Sequence, residues 1–297
     1  VFLIYHGRRI MEDTTSRRDV LRSSSRVALT VAGLSALASA GEAPPELDFP
    51  VADLHVHLSG RLSIERAVQV AGERRVKFGI VEHPGHNYRI KTGRDLRRYL
   101  DVLEPYPVYK GIQPVYPRWR EVFSKELLAQ VQYVLMDTQT LPNPDGSYWR
   151  IWHRNTEVAD KHTFMDRYMD FNVQLLTTER LDILAAPTFL PVCIAQDYKT
   201  LWTPKRVQTI IDLALKHRVA IEISENFHVP DADIVRLAKT AGLKFTFGTN
   251  SRTPEAAGRL DYCRRIAKQC RLTAKDMWLP KPVRIPRGDD HKRSTEG

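Results

Sequence analysis

Residues 53–60 read DLHVHLSG: two histidines one residue apart, in a run that is otherwise largely apolar and ends in a Ser-Gly turn. Side chains alternate along an extended strand, so Asp53, His55 and His57 are expected on one face and Leu54, Val56 and Leu58 on the other. Such a strand buries apolar side chains while its exit presents imidazoles, which asks for a fold that gathers strand ends at one place. The rest of the chain supplies one.

Working outward, short apolar runs alternate with amphipathic segments. The expected strands are PVADLHVHL, VKFGIVEH, PVYKGIQ, YVLMDT, LDILAAP, VAIEIS and LKFTFGT. Between them lie the helical patterns SIERAVQVAGERR, GRDLRRYLDVLE, WREVFSKELLAQV, FMDRYMDFNVQLL, PKRVQTIIDLALKHR and DADIVRLAKTA. Strand-helix alternation of this kind builds a parallel sheet covered by helices, open or closed into a barrel. Closure is favoured because the strands end in polar residues, His57, His83, Gln113, Asp137 and Asn250, and no Gly-rich phosphate loop marks the switch point of an open sheet. The expected fold is α/β, a distorted (β/α)7 TIM-like barrel over residues 48–280. The excursion QTLPNPDGSYWRIWHRNTEVADKHT after the fourth strand is either a lid or a surface loop whose Trp149 and Trp152 pack on the rim. Residues 281–297, rich in Pro, Gly and charge, read as a flexible tail.

The 297 residues carry 42% hydrophobic and 27% charged side chains, enough for one core without staples. The net charge of +10 permits an anionic partner, but the basic residues are interleaved with Asp and Glu rather than blocked together, so no nucleic acid is expected. Three cysteines without CxxC spacing give neither a disulfide framework nor a cysteine zinc site, though one bridge stays open. Residues 1–40, with Met11 as an alternative start, place Arg17-Arg18 before a mildly apolar run ending in ALASA. That run, of about 14 residues, is too short for a span of about 20 and reads as a signal segment. Ser16-Arg17-Arg18-Asp19-Val20-Leu21 is similar to the twin-arginine signal of bacteria. The expectation is export through the twin-arginine machinery to the periplasm or beyond, with no stable membrane span after maturation.

An H-x-H pair projects two imidazoles from one strand face about 6 to 7 Å apart, within reach of one ion. His83 and Asp137, at the ends of other expected strands, complete a set of His55, His57, His83 and Asp137 that Zn, Mn or Fe accepts as one or two divalent ions. Glu222, inside AIEIS, is a candidate general base or further ligand, and equally a buried strand carboxylate paired with a barrel cation. His86, in the HPGHN turn, stands where it could meet a substrate.

DLHVHLSG followed by an amphipathic helix and FGIVEHPGH resembles the opening of the PHP (polymerase and histidinol phosphatase) family, with its D-x-H-x-H and T-D/E-H motifs. Further segments keep step in order over about residues 50–260. YKGIQ resembles that family's G-x-E strand, YVLMDT its strand ending in His, LDILAAPTFLP its D-I-x-x-H-P segment, VAIEIS its E-I-N strand and FGTNSRTPEAAG its G-S-D-A-H-x-P segment. The resemblance implies a distorted seven-stranded barrel, up to three metals and hydrolysis of phosphoesters. The departures thin that site: Gln113 stands for a bridging Glu, Asp137 for a His, Ala186 for the His before Pro, and Asn250 and Arg252 for the final Asp and His. One or two ions are then expected rather than three. Gln113 and Arg252 become candidates for binding a small anionic substrate such as a phosphoester, and Asn250 stays with Glu222 as a catalytic candidate. Two other readings remain open. DLHVHLSGRLSIE is similar to the ELHVHLDG opening of adenosine-deaminase-like amidohydrolases, whose later motifs do not occur here, and the altered ligands also suit a barrel that binds a ligand or metal without turnover.

Overall fold

A computed structural model describes residues 45–85 and 88–281. The signal segment 1–40, residues 282–297 of the expected tail, and His86 lie outside the described residues. The elements in chain order are β1 (Ala52–Val56), α1 (Ile64–Arg74), β2 (Lys77–Ile80), α2 (Gly93–Leu103), β3 (Tyr109–Ile112), α3 (Lys125–Leu128), β4 (Tyr133–Asp137), β5 (Thr140–Pro142), β6 (Tyr148–Arg150), α4 (Lys161–Thr178), β7 (Ile183–Ala185), α5 (Tyr198–Leu201), α6 (Pro204–His217), β8 (Ala220–Ser224), α7 (Ala232–Thr240), β9 (Phe245–Gly248) and α8 (Asp261–Gln269). Seven parallel strands close into a barrel in the order β1-β2-β3-β4-β7-β8-β9, with β9 pairing back to β1, while β5 and β6 form a separate antiparallel hairpin. The chain is thus a (β/α)7 barrel, and all seven expected strands are present. No helix among the described residues is long and apolar enough to cross a membrane.

Local chemistry fixes the helix ends. In α1 the Ser63 side chain accepts from Arg66 N, Ile64, Ala67 and Val70 face the core, and Arg75 closes the helix in the left-handed region at φ 53°. Thr92 and Asp95 form a reciprocal capping box on α2, and Thr203 with Pro204 opens α6. The helix expected across 119–131 is broken: one 3-10 turn spans Trp119–Val122, Phe123 is extended, and Ser124 caps the short α3 through Leu127 N. A serine able to cap, beside a phenylalanine buried in the core, divides a segment whose periodicity alone reads as continuous. Helix α8 is not among the expected elements; Cys263, Ile266 and Ala267 are buried from it, Tyr262 packs part-buried against the core, and the remaining residues are polar.

Alternation fails inside β1. The β1–β2 register shifts between Asp53 and Val56, so the strand is irregular where the histidines begin. Ala52 and Leu54 join the inner cluster with Tyr133, Leu135, Ile183 and Ala185, while Val56 joins the outer one with Phe78 and Ile80. His55 still reaches side chains in the barrel, but Asp53 bonds to Thr249 and to Gly258 N. The expectation that Asp53 shares a face with both histidines is corrected: the irregularity brings Leu54 and His55, neighbours in sequence, both inward.

The inner cluster is an apolar plug. Tyr133 lies across Gly79 and Gly111, where a Cβ would collide with its ring, and its hydroxyl donates to Leu54 O at 2.8 Å. Further along the same strands, toward their C-terminal ends, the interior turns polar. The plug therefore seals the barrel beneath the mouth, the end at which barrels of this type carry their sites.

Candidate functional site

Four side chains, three from β1, β4 and β8 and Gln113 immediately after β3, form a chain of hydrogen bonds across the barrel. His55 Nδ1 lies 2.7 Å from Glu222 Oε2, His55 Nε2 lies 3.1 Å from Gln113 Oε1, and Gln113 Nε2 donates to Asp137 Oδ2 at 2.8 Å. Asp137 Oδ1 also accepts from Gln139 N. A carboxylate only accepts, so Gln113 turns its amide nitrogen to Asp137 and its oxygen to His55. His55 then donates from both ring nitrogens, as an imidazolium. Burial pulls its pKa down, but the Glu222 carboxylate beside it, aided by Asp137, outweighs that and sets it above the ordinary histidine value. Gly248 makes the space, since a Cβ there would collide with the Glu222 carboxylate and His55 Cβ.

His57 sits beside this chain in a different state. It is 1% exposed, and among the described residues neither of its ring nitrogens has a hydrogen-bond partner. Its ring centroid is 5.4 Å from that of His55 and 4.9 Å from that of His83. Burial, then the charges of His55, His83 and Arg252, push its pKa well below the ordinary value, leaving a neutral imidazole with a free lone pair. His83 lies three residues past β2, with Nδ1 2.9 Å from Gln113 O and Nε2 3.3 Å from Arg252 Nη2. The carbonyl can only accept, so Nδ1 carries the proton and Nε2 receives the guanidinium. Burial lowers the His83 pKa, partly offset by the Gln113 carbonyl.

Among the described residues no group of three or more His, Cys, Asp or Glu stands in position around one point to hold an ion. The donor chemistry nonetheless fits one. A buried imidazole without a partner costs about 1 to 3 kcal/mol, which a bound cation would offset. His55 and His83 are held at Nδ1 by a carboxylate and a carbonyl, the outer support that metal-bound histidines use to aim Nε2. An ion at His55 Nε2 would have to displace both its proton and Gln113.

Two cavities open at the mouth, of about 760 and 540 Å³, and share His83, Tyr88 and Arg252 in their walls. Gln113, Asp137 and Asn250 line the second. Asn250 sits at φ 48°, and its Oδ1 is 3.4 Å from Arg252 Nη1. Glu222 lines neither cavity and meets His55 from within the barrel wall; Lys110 is turned outward to Glu104. The structure thus brings together His55, His57, His83, Gln113, Asp137, Glu222, Asn250 and Arg252. Tyr88, Arg150, Trp152 and Phe227 were not anticipated as site residues. The excursion after β4 was the available signal for two of them: Trp149 packs edge-on against Phe164 of α4, while Trp152 faces the mouth.

The fold and site define a class, a seven-stranded (β/α) barrel with a histidine-rich mouth over an apolar plug. No protein-family model matches the chain, and no curated protein matches it.

Proposed function

We propose that this chain is an exported metal-dependent hydrolase similar to the PHP phosphoesterases, acting on a small anionic phosphoester. The observation that carries the reading is His57, buried without a hydrogen-bond partner between two imidazoles anchored at Nδ1. His55, His57, His83 and Asp137 would hold one or two divalent ions of Zn, Mn or Fe type. When bound there, such an ion would supply Lewis-acid activation of water as the nucleophile. Glu222 is a positioning residue, because its carboxylate fixes the His55 ring and stands apart from both cavities. Arg252 and Asn250 line the cavity where a phosphoryl group would sit, and the guanidinium can grip two of its oxygens. Export rests on the Arg17-Arg18 segment.

Elemental analysis of protein purified folded from its native compartment tests the centre. A transition metal is expected, and its loss in a His55→Ala/His57→Ala variant; absence of metal from both proteins overturns the reading. With metal present, phosphomonoesters and phosphodiesters are offered in turn. A second reading, a barrel that binds without turnover, is favoured by Gln113, which occupies His55 and Asp137 at once. Metal without turnover of any ester would support it. An Arg17→Lys/Arg18→Lys variant is expected to stay in the cytoplasm.

A further inference from the structure

Besides Arg252, Asn250 and Asp137, the 540 Å³ cavity carries Arg150 and three aromatic side chains that the hydrolase reading does not use. We infer that it is a preformed subsite for an aromatic ring carried by the anionic substrate, so that the ligand class is an aryl phosphoester. This deepens the proposed function and rests on it for the ester bond alone.

Two charges select the anion. Arg150, from β6, and Arg252, after β9, both line this cavity, and among the described residues neither has a carboxylate within salt-bridge distance. Asp137 also lines it, its two oxygens accepting from the neutral Gln113 amide and Gln139 N, so the anion's place is at the guanidiniums and away from this carboxylate. Two guanidiniums flanking one cavity attract an anion and can bind it bidentately, against the smaller opposing field of Glu82 on Arg252 and of Asp137.

The aromatic side chains select what the anion carries. Trp152, Phe227 and Tyr88 line the same cavity, and Trp152 is 47% exposed there. The Trp152 indole packs on the His153 ring at 4.3 Å between centroids, and its remaining open area offers a planar ring a stacking surface. Phe227 is backed edge-on by Phe189, with centroids 4.7 Å apart, and Tyr88 lies 5.0 Å from His83. A ring in this cavity would therefore lie near His83, with its anionic group toward Arg150 and Arg252.

The wall is built before any ligand arrives. The β5–β6 hairpin that carries Arg150 is rooted by Leu141 and Ile151, both fully buried, and by Arg167, which donates to Pro142 O and to Asn143 Oδ1. Tyr148 packs on Tyr116 at 4.1 Å between centroids. Anchored in this way, the hairpin forms part of the cavity wall. The cavity volume lies within the range of small-molecule sites, about 300 to 1,000 Å³.

The test uses the mature chain with chelator present, so that loss of the metal reading leaves it standing. Phenylphosphonate, methylphosphonate and glucose 6-phosphate are titrated by calorimetry. Phenylphosphonate is expected to bind about tenfold or more tightly than the other two. Trp152→Ala, at an exposed position, is expected to shrink that preference to about twofold with methylphosphonate affinity unchanged, and Trp152→Phe to retain most of it. Arg150→Gln is expected to weaken both phosphonates together. Equal affinities in the parent protein, no binding at about 10 mM, or a Trp152→Ala variant that keeps the preference would each overturn the subsite. Circular dichroism of the variants confirms that they are folded. Elemental analysis, separately, decides the metal.

Discussion

Asp53 is tied to Thr249 by two hydrogen bonds, Oδ1 accepting from the backbone nitrogen at 3.0 Å and Oδ2 from the hydroxyl at 2.6 Å. The same carboxylate accepts from His55 N at 3.2 Å and Gly258 N at 2.9 Å. These bonds lie on the seam between β1 and β9, the pair that closes the barrel, and they fix the point at which β1 departs from alternation. In Asp53→Asn the side-chain nitrogen must face at least one backbone N–H, leaving two donors opposed. The expected loss is about 2 to 3 kcal/mol in urea denaturation. A loss under about 0.5 kcal/mol would show that the seam does not depend on this carboxylate.

The same residue marks the limit of what the chain discloses before folding. Strand positions were legible because each is a short apolar run bounded by turn residues, and the convergence of His57, His83, Gln113, Asp137 and Asn250 followed from strand ends alone. What alternation could not show was the register shift in β1, which depends on pairing with β2. Nor could it show that Glu222 meets His55, since a strand residue's partner across a barrel is set by closure, 167 residues away in the chain. Gln113 was legible as a residue at the mouth, but its role as a bridge depends on amide geometry that only the assembled site defines. The broken helix at Trp119–Leu128 failed for a local reason, a serine preferring to cap.

Tyr133 and Gly111 are a matched pair. The ring occupies the space a Cβ on Gly111 would need, and the hydroxyl satisfies Leu54 O. Gly111→Ala is expected to lose about 1 to 3 kcal/mol through overpacking. Tyr133→Phe keeps the ring, loses the hydrogen bond, and is expected to lose about 1 kcal/mol. Thermal denaturation of both variants checks the order; a Gly111→Ala protein as stable as the parent would mean that the plug is loosely packed.

The three cysteines are all free, so the bridge left open by the sequence is not formed. Cys193 is exposed, whereas the Cys263 thiol donates to Ile223 O and the Cys270 thiol to Ala232 O. Burial pushes both of those thiols up, Cys263 far above the ordinary value, which keeps them out of the reactive thiolate form. With an aromatic disulfide reagent, one thiol is expected to react fast in the native protein and three in denaturant. In Cys193→Ser none should react fast. Two fast thiols in the native chain would place a buried cysteine at the surface.

Asp182 supplies a pH signature away from the mouth. Its Oδ2 accepts from Val134 N at 2.8 Å, and burial raises its pKa above the ordinary 3.8, with the Val134 bond and Arg120 pulling the other way. An acid whose pKa is raised on folding holds its proton more tightly in the folded state. Its contribution to stability is therefore full below 3.8 and is lost as pH rises through the raised value. Asp182→Asn keeps an oxygen for Val134 N and removes the charge. At pH of about 3 the variant and parent should unfold at the same denaturant concentration, both neutral at this position, and at about pH 7 the variant should be the more stable. A parent protein that gains on the variant as pH rises would mean that the carboxylate is better solvated or paired in the folded state than its burial against β4 implies.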